Sequence, residues 1–273
     1  QRLIIMLGGI IVNVLLAFII YAMILFVWGE RKTPMSSIKN GIAITDSLMY
    51  DIGLRSGDKI VSIDGASIEY FEDLPAKILI GSKEIVVDRN GQTQTISVPV
   101  NLIEKLVESR RKKAMMFTER VPAYVGEYNA KAKMDTLNGF KAGLQKMDLI
   151  KAIDSTPIQF YDEMSAVLNS KKDQKVQLSI DRNGTPMQIT AQVDANGRIG
   201  IPFLTEEEYI QLGAFNVEHK KYGFFAAFPA GVKKSMSVLN SYIDQFKLIL
   251  NPETGAYKGV GGFKAIGSVF PTT

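Results

Sequence analysis

The chain has 273 residues, no cysteine, and a net charge of +4 from 32 basic and 28 acidic residues. Without cysteine it can build neither a disulfide framework nor a thiolate metal site. The mild charge, interspersed in both signs, gives no footprint for nucleic acid, and the length suits two folded units.

Residues 3–28 carry no charge. A helix over this run reaches ~39 Å at ~1.5 Å per residue, against a bilayer hydrocarbon core of ~30 Å, which predicts a transmembrane helix within residues 1–32. Gly9, Asn13 and Ala17 lie four apart on one face of it. Two readings of that face stand side by side: small residues and an amide that pack a second helix, or a polar border to a functional site inside the membrane. The chain starts at Gln1 with no charged n-region or cleavage site, and the sequence reads as a piece of something longer.

Self-comparison organises the middle. Residues 53–65, Gly-Leu-Arg-Ser-Gly-Asp-Lys-Ile-Val-Ser-Ile-Asp-Gly, are answered 90 residues later by residues 143–155, Gly-Leu-Gln-Lys-Met-Asp-Leu-Ile-Lys-Ala-Ile-Asp-Ser, with six of thirteen positions identical. Phe71, Leu74 and Ile78 in the first copy match Tyr161, Met164 and Leu168 in the second, at the spacing of a short amphipathic helix. Each copy then carries a hairpin signal, Asp88-Arg89-Asn90-Gly91 and Asp181-Arg182-Asn183-Gly184, because Asn-Gly accepts the positive φ of a two-residue turn. Gly53 and Gly143 follow short helical stretches, where a left-handed residue ends a helix most cheaply as glycine. Asp58 and Asp148 turn the chain into an apolar strand. Two copies of one sheet-plus-helix domain are therefore expected, at 33–100 and 121–202, joined by a helix over 101–120 that bears the basic cluster Arg110-Arg111-Lys112-Lys113.

Beyond residue 202 the pattern changes. Residues 222–230 are apolar and aromatic but too short to span a membrane, and Val232, Met236, Leu239, Ile243, Phe246 and Leu250 then recur at steps of three and four. Residues 203–273 thus read as a membrane-associated amphipathic helix, with an ordinary surface helix as the alternative, followed by a Gly-rich segment. His219, the one histidine, stands in a polar stretch and reads as a bystander.

The Gly-Leu, Asp, Ile-x-x-Ile-Asp pattern formed by Gly53, Leu54, Asp58 and by Gly143, Leu144, Asp148 resembles the PDZ domain in its bacterial, circularly permuted form. That resemblance implies peptide binding by strand addition, and it places the receiving segment before the Gly-Leu motif: Gly41, Ile42, Ala43 and Ile44 in the first copy, Tyr124, Val125 and Gly126 in the second. Neither stretch is a Gly-Leu-Gly-Phe carboxylate loop. The whole order, from a helix with Gly9 and Asn13 through the tandem copies to the amphipathic helix and Gly261-Gly262, resembles the site-2 protease family, bacterial intramembrane zinc metalloproteases of the RseP type. The fold class expected is a transmembrane α-helix, two PDZ-like α+β domains, mainly β, and a C-terminal membrane-associated helical region.

The resemblance implies peptide-bond hydrolysis in the bilayer by zinc held between a HExxH helix and a later Leu-Asp-Gly motif. Neither motif occurs here, so no catalytic or metal-ligating residue is assigned within this chain. Alone it is expected to be inactive and to bind no cofactor, with zinc belonging to the parent protein. The implied role is regulated intramembrane proteolysis with the tandem domains gating substrates. The implied partners are the lipid bilayer and membrane-spanning proteins such as a trimmed anti-sigma factor or a signal-peptide remnant. The implied location is the bacterial inner membrane with the PDZ-like pair on the periplasmic side. The competing expectation is a non-catalytic, membrane-anchored PDZ scaffold or adaptor of an envelope or secretion complex.

Overall fold

A computed structural model describes residues 2–108, 115–128 and 137–259. The fold is mixed α/β, with two similar sheet-bearing units set against a pair of long helices.

Helix α1 (Arg2–Val27) leads into the short strand β1 (Glu30–Lys32). The transmembrane helix expected in residues 1–32 is not upheld: among the described residues no helix is long and apolar enough to cross a membrane. The partner helix of α1, moreover, carries Lys233, Lys234, Asp244 and Lys247. The PDZ-plus-membrane-helix fold class is corrected accordingly.

The first unit follows as β2 (Ile42–Ile44), α2 (Ser47–Asp51), β3 (Lys59–Ile63), a 3-10 turn leading into α3 (Leu74–Leu79), β4 (Glu84–Arg89) and β5 (Gln92–Ser97). Asp46 starts α2 by accepting a hydrogen bond from the Leu48 amide at 2.9 Å, and Gly53 ends that turn at φ +108°. Strands β3, β4 and β5 form one antiparallel sheet. Its hairpin turns through Asn90 and Gly91, both at positive φ. Leu54, Leu74, Ile78, Ile85 and Val87 are fully buried between sheet and helices, each contributing roughly 1.5–3 kcal/mol over exposure.

Helix α4 is described over Leu102–Glu108, and within the connector expected as a helix over 101–120, Phe117–Glu119 is instead a strand, β6, paired antiparallel with β2. β-Branched and aromatic residues suit that half-buried edge better than a helix. The basic cluster at 110–113 lies outside the described residues.

The second unit repeats the order with α5 (Asn138–Lys141), β7 (Leu149–Ile153), β8 (Thr156–Pro157), α6 (Tyr161–Asn169), β9 (Lys175–Arg182) and β10 (Thr185–Gln192). Its sheet runs β10-β9-β7-β8, and the register of β7 on β9 shifts between Ile150 and Ala152, as β3 shifts on β4 between Ile60 and Ser62. An arm follows, with α7 (Glu206–Gln211) begun by a Thr205–Glu208 capping box, then β11 (Glu218–Lys220) paired with β1, and α8 (Phe224–Leu250).

Helix α8 joins the expected short apolar stretch and the amphipathic helix into one, running through Pro229. Ala227, Gly231 and Ser235, four apart, are buried where α8 crosses Ala22 and Leu25 of α1. A Cβ on Gly231 would stand 2.5 Å from the Ala22 nitrogen, so the backbones approach too closely for a side chain. The apolar stripe read from sequence is not the packed one: Met236, Ile243 and Phe246 remain exposed. Residues 260–273, including Gly261-Gly262, lie outside the described residues.

Candidate functional site

The repeated motif builds one feature twice. Asp58 is fully buried, and Arg89 at the hairpin end grips it through Nε and Nη2, both at 2.7 Å, while Nη2 also donates to the Gly53 carbonyl at 2.8 Å. Asp148, Arg182 and Gly143 make the same three bonds at the same distances. The Arg55 and Gln145 amides complete each carboxylate at 2.8 Å. Each aspartate raises the pKa of its arginine by hydrogen bonding and charge. These charge-assisted, bidentate pairs tie the Gly-Leu turn to the hairpin, and Leu54 and Leu144 sit buried beneath them. The motif residues Gly53, Leu54, Asp58, Gly143, Leu144 and Asp148 are brought together in this way. Arg89 and Arg182 escaped sequence reasoning although the same arginine stands at the same hairpin position in both copies.

The segments expected to receive a peptide have their backbones engaged on both sides. Ile42 bonds the Asp58 carbonyl and the Gly57 amide on one side of β2, at 2.9 and 2.8 Å, and faces Glu119 of β6 on the other. Gly41, Ala43 and Ile44 are buried in the same ladder. In the second unit Val125 exchanges bonds with Asp148 and Met147, Tyr124 bridges to Leu149, and the Gly126 amide donates to Pro202 at 2.8 Å.

The outer position is taken instead by closing segments that sequence comparison missed. In the first unit it is β6, whose Phe117 is buried with its ring edge-on to Phe71, centroids 6.5 Å apart. In the second it is residues 199–204, where Phe203 stacks on Tyr161 at 4.1 Å and the Tyr161 hydroxyl donates to the Pro202 carbonyl at 2.9 Å. Each segment carries a phenylalanine, but they stand at different places in the chain order, β6 between the copies and residues 199–204 after the second hairpin, so the repeat could not reveal them. Phe71 and Tyr161 hold matching places before the second helix of each unit, yet Phe203 is 61% exposed where Phe117 is 2% exposed. Beside the start of α6, Phe203 thus keeps an accessible aromatic face that Phe117 does not.

Electrostatics around it are uneven. Burial pushes the Tyr161 phenol well up, with Tyr209 and Tyr128 adding to the shift, so it stays a neutral donor. Burial likewise raises the Glu119 carboxyl, and Glu72 and Glu206 add to it. Lys146 bonds Glu208 and brings that carboxyl down to about 2.

On α1, Ala17 faces α8, its carbonyl accepting from Ser235 Oγ at 3.5 Å, whereas Asn13 and Gly9 are exposed, with nothing within 4 Å of a Cβ placed on Gly9. The three residues therefore do not share one contact. His219 is exposed, with Nε2 2.8 Å from the Trp28 carbonyl. Among the described residues no group of three or more histidine or carboxylate side chains could hold a metal ion. Those described residues therefore offer zinc no fitting set of ligands.

No protein-family model matches the chain. Over 108 residues it is 27% identical to "Metalloprotease MmpA" of Caulobacter vibrioides, a stretch covering 38% of this chain and 26% of that protein. Over 101 residues it is 31% identical to a protein of Rickettsia conorii named as a zinc metalloprotease, covering 36% of this chain and 27% of that one. The chain is thus related to proteins of a metalloprotease family, and it spans only about a quarter of the length of these curated relatives.

Proposed function

We propose that the chain is the substrate-selecting part of a zinc metalloprotease that performs regulated intramembrane proteolysis, its two repeated units acting as PDZ-type domains that gate access to a catalytic centre built elsewhere in the parent protein. The observation behind this reading is the clamp repeated at Asp58–Arg89 and Asp148–Arg182, found in a chain similar to named metalloproteases. Hydrolysis would need zinc ligands and a general base, which these residues do not supply, so the contribution left to them is binding and exclusion. In the second unit a substrate segment would lie against residues 201–204, with Phe203 as its apolar anchor. The substrates in this reading are membrane proteins already trimmed by another protease, in the bacterial inner membrane, with the paired units on its periplasmic side.

The test is deletion of residues 33–202 from the parent protein, replaced by a short linker. Untrimmed substrate is then cleaved alongside trimmed substrate. Continued protection of the untrimmed form rejects gating. A parent sequence without HExxH and Leu-Asp-Gly would reject the protease altogether and favour a scaffold.

A further inference from the structure

Among the described residues three apolar clusters form, and the first stands apart from the other two. One belongs to the first unit, one to the second, and a small one of Leu204, Tyr209, Ala214 and Phe215 lies under α7 and packs on Val121, Tyr124 and Met147 of the second unit. Together with the arm that packs on it, the second unit meets the first unit and the helix pair through contacts that include two sets of ion pairs. Arg120 is fixed to the first unit by its amide on the Gly41 carbonyl at 3.3 Å, with its guanidinium against Gly57. The same guanidinium reaches Asp162 at 3.0 Å and Glu163 at 2.7 Å on α6, and lies 4.1 Å over the Phe160 ring. At the base of the helix pair, Arg31 bonds Glu206 of α7 at 2.8 Å with Glu207 at 3.9 Å. A neutral bond from Ser37 Oγ to the Asn216 carbonyl, at 3.2 Å, lies beside it. An open hollow of ≈ 530 Å³ on the second unit, lined mainly by its Tyr124, Leu149, Ile158 and Phe160, reaches Asn40 of the first unit and Leu212 of the arm at its rim.

From this we infer that the second unit is a hinged gate held closed by two ionic latches, Arg120 to Asp162 and Glu163, and Arg31 to Glu206. The inference rests on the gating function proposed above and names how that gate is regulated. Polar, weakly packed joints between separate cores permit rigid-body motion. Both latches lie close to the exposed ring of Phe203: Asp162 and Glu163 are in the first turn of α6, one and two residues after Tyr161 on which Phe203 stacks, and Glu206 stands three residues after Phe203. The two differ in exposure, with Arg120 and Asp162 side chains 15% and 12% exposed but Arg31 and Glu206 50% and 45%. The outer latch is therefore screened by salt and the inner one is not.

This chain carries no cysteine, so after any cysteine elsewhere in the parent protein is replaced by serine, two introduced thiols are the labelling sites. Spin labels at Gln92→Cys on β5 and Gln188→Cys on β10, in the full parent protein, read the separation of the units. We expect one narrow distance distribution, changed little by raising salt from about 0.05 M to about 0.5 M while the inner latch holds. In Arg120→Met the same salt step broadens it, and Arg120→Met with Arg31→Glu broadens it at low salt. Adding Glu206→Arg to that pair restores the narrow distribution. Arg120→Lys, which keeps the charge but loses the fork, falls between wild type and Arg120→Met and serves if the methionine variant misfolds. An unchanged distribution in the Arg120→Met, Arg31→Glu protein overturns the latch. A broadened distribution with untrimmed substrate still protected overturns the gate it was to serve and leaves the hinge standing.

Discussion

Replacing Asp148 with alanine tests the duplicated clamp most directly. The side chain is fully buried and accepts two bonds from Arg182 and one from the Gln145 amide. Removing one partner of a buried pair costs about 3–5 kcal/mol, chiefly through the charge left behind. Arg182 is 20% exposed and can turn partly toward water, which places the cost near the lower end, roughly 3 kcal/mol. For a domain of this size that lowers the melting point by about 12–24 °C. With separate cores a single transition for the whole chain is not expected, so native-state hydrogen exchange is the assay. In Asp148→Ala the amides of β7 and β9 lose about two orders of magnitude of protection, while β3 and β4 keep theirs. Asp58→Ala gives the mirror image. Replacing both members by apolar residues, Asp148→Leu with Arg182→Met, recovers much of the loss because no charge is stranded. A cost under about 1 kcal/mol, or equal loss in both units, refutes the clamp as the element that ties turn to hairpin within each unit.

Two further predictions concern the joints. Because burial raises the pKa of Glu119, the folded state holds that proton more tightly than the unfolded chain; its contribution is fully present below the ordinary value of 4.5 and is lost as pH rises through the raised value. Glu119→Gln should therefore match wild type in urea midpoint near pH 4 and exceed it at pH 7; a variant that is less stable at pH 7 contradicts the sign. Gly231→Leu places atoms where the Ala22 nitrogen lies 2.5 Å from a Cβ, and the overpacking costs about 1–3 kcal/mol. It is read as faster exchange of amides 17–25 in α1, and unchanged exchange would mean that the helices do not cross there.

Much of each unit was legible because its signals are local. Asn90-Gly91 and Asn183-Gly184 needed only turn chemistry, and the apolar alternation around them needed only the period of a strand. What escaped was set by tertiary pairing. Phe117–Glu119 reads as the end of a helix until β2 offers it a ladder, and residues 199–204 lack any counterpart in the first copy. The same holds for α8, where hydrophobicity pointed to Met236, Ile243 and Phe246, while close approach selected Ala227, Gly231 and Ser235. A stripe of small residues has little hydrophobic weight, so its packing role appears only when the opposing backbone is in place. The uncharged run of α1 was read by length and polarity alone, without the charged helix it packs against.

The closing segments separate a structural aromatic from a binding one. Phe117 is 2% exposed and edge-on to Phe71, so Phe117→Ala opens a cavity in the first core and costs about 3–5 kcal/mol. Phe203 covers Tyr161 but keeps 61% of its surface in water, so Phe203→Ala costs roughly 1 kcal/mol, the size of one aromatic contact. The first unit is braced along the far half of α8, where Leu248 meets Gly81 and Lys258 pairs with Glu104 and Glu108. A fixed unit gains from burying its aromatic, whereas a unit that must answer a ligand keeps one accessible. Fluorescence-detected binding of an extended apolar peptide should therefore weaken at least tenfold in Phe203→Ala while the fold survives, and persist in whatever fraction of Phe117→Ala remains folded. Equal binding by Phe203→Ala and wild type would mean that the exposed Phe203 ring is not where a substrate is read.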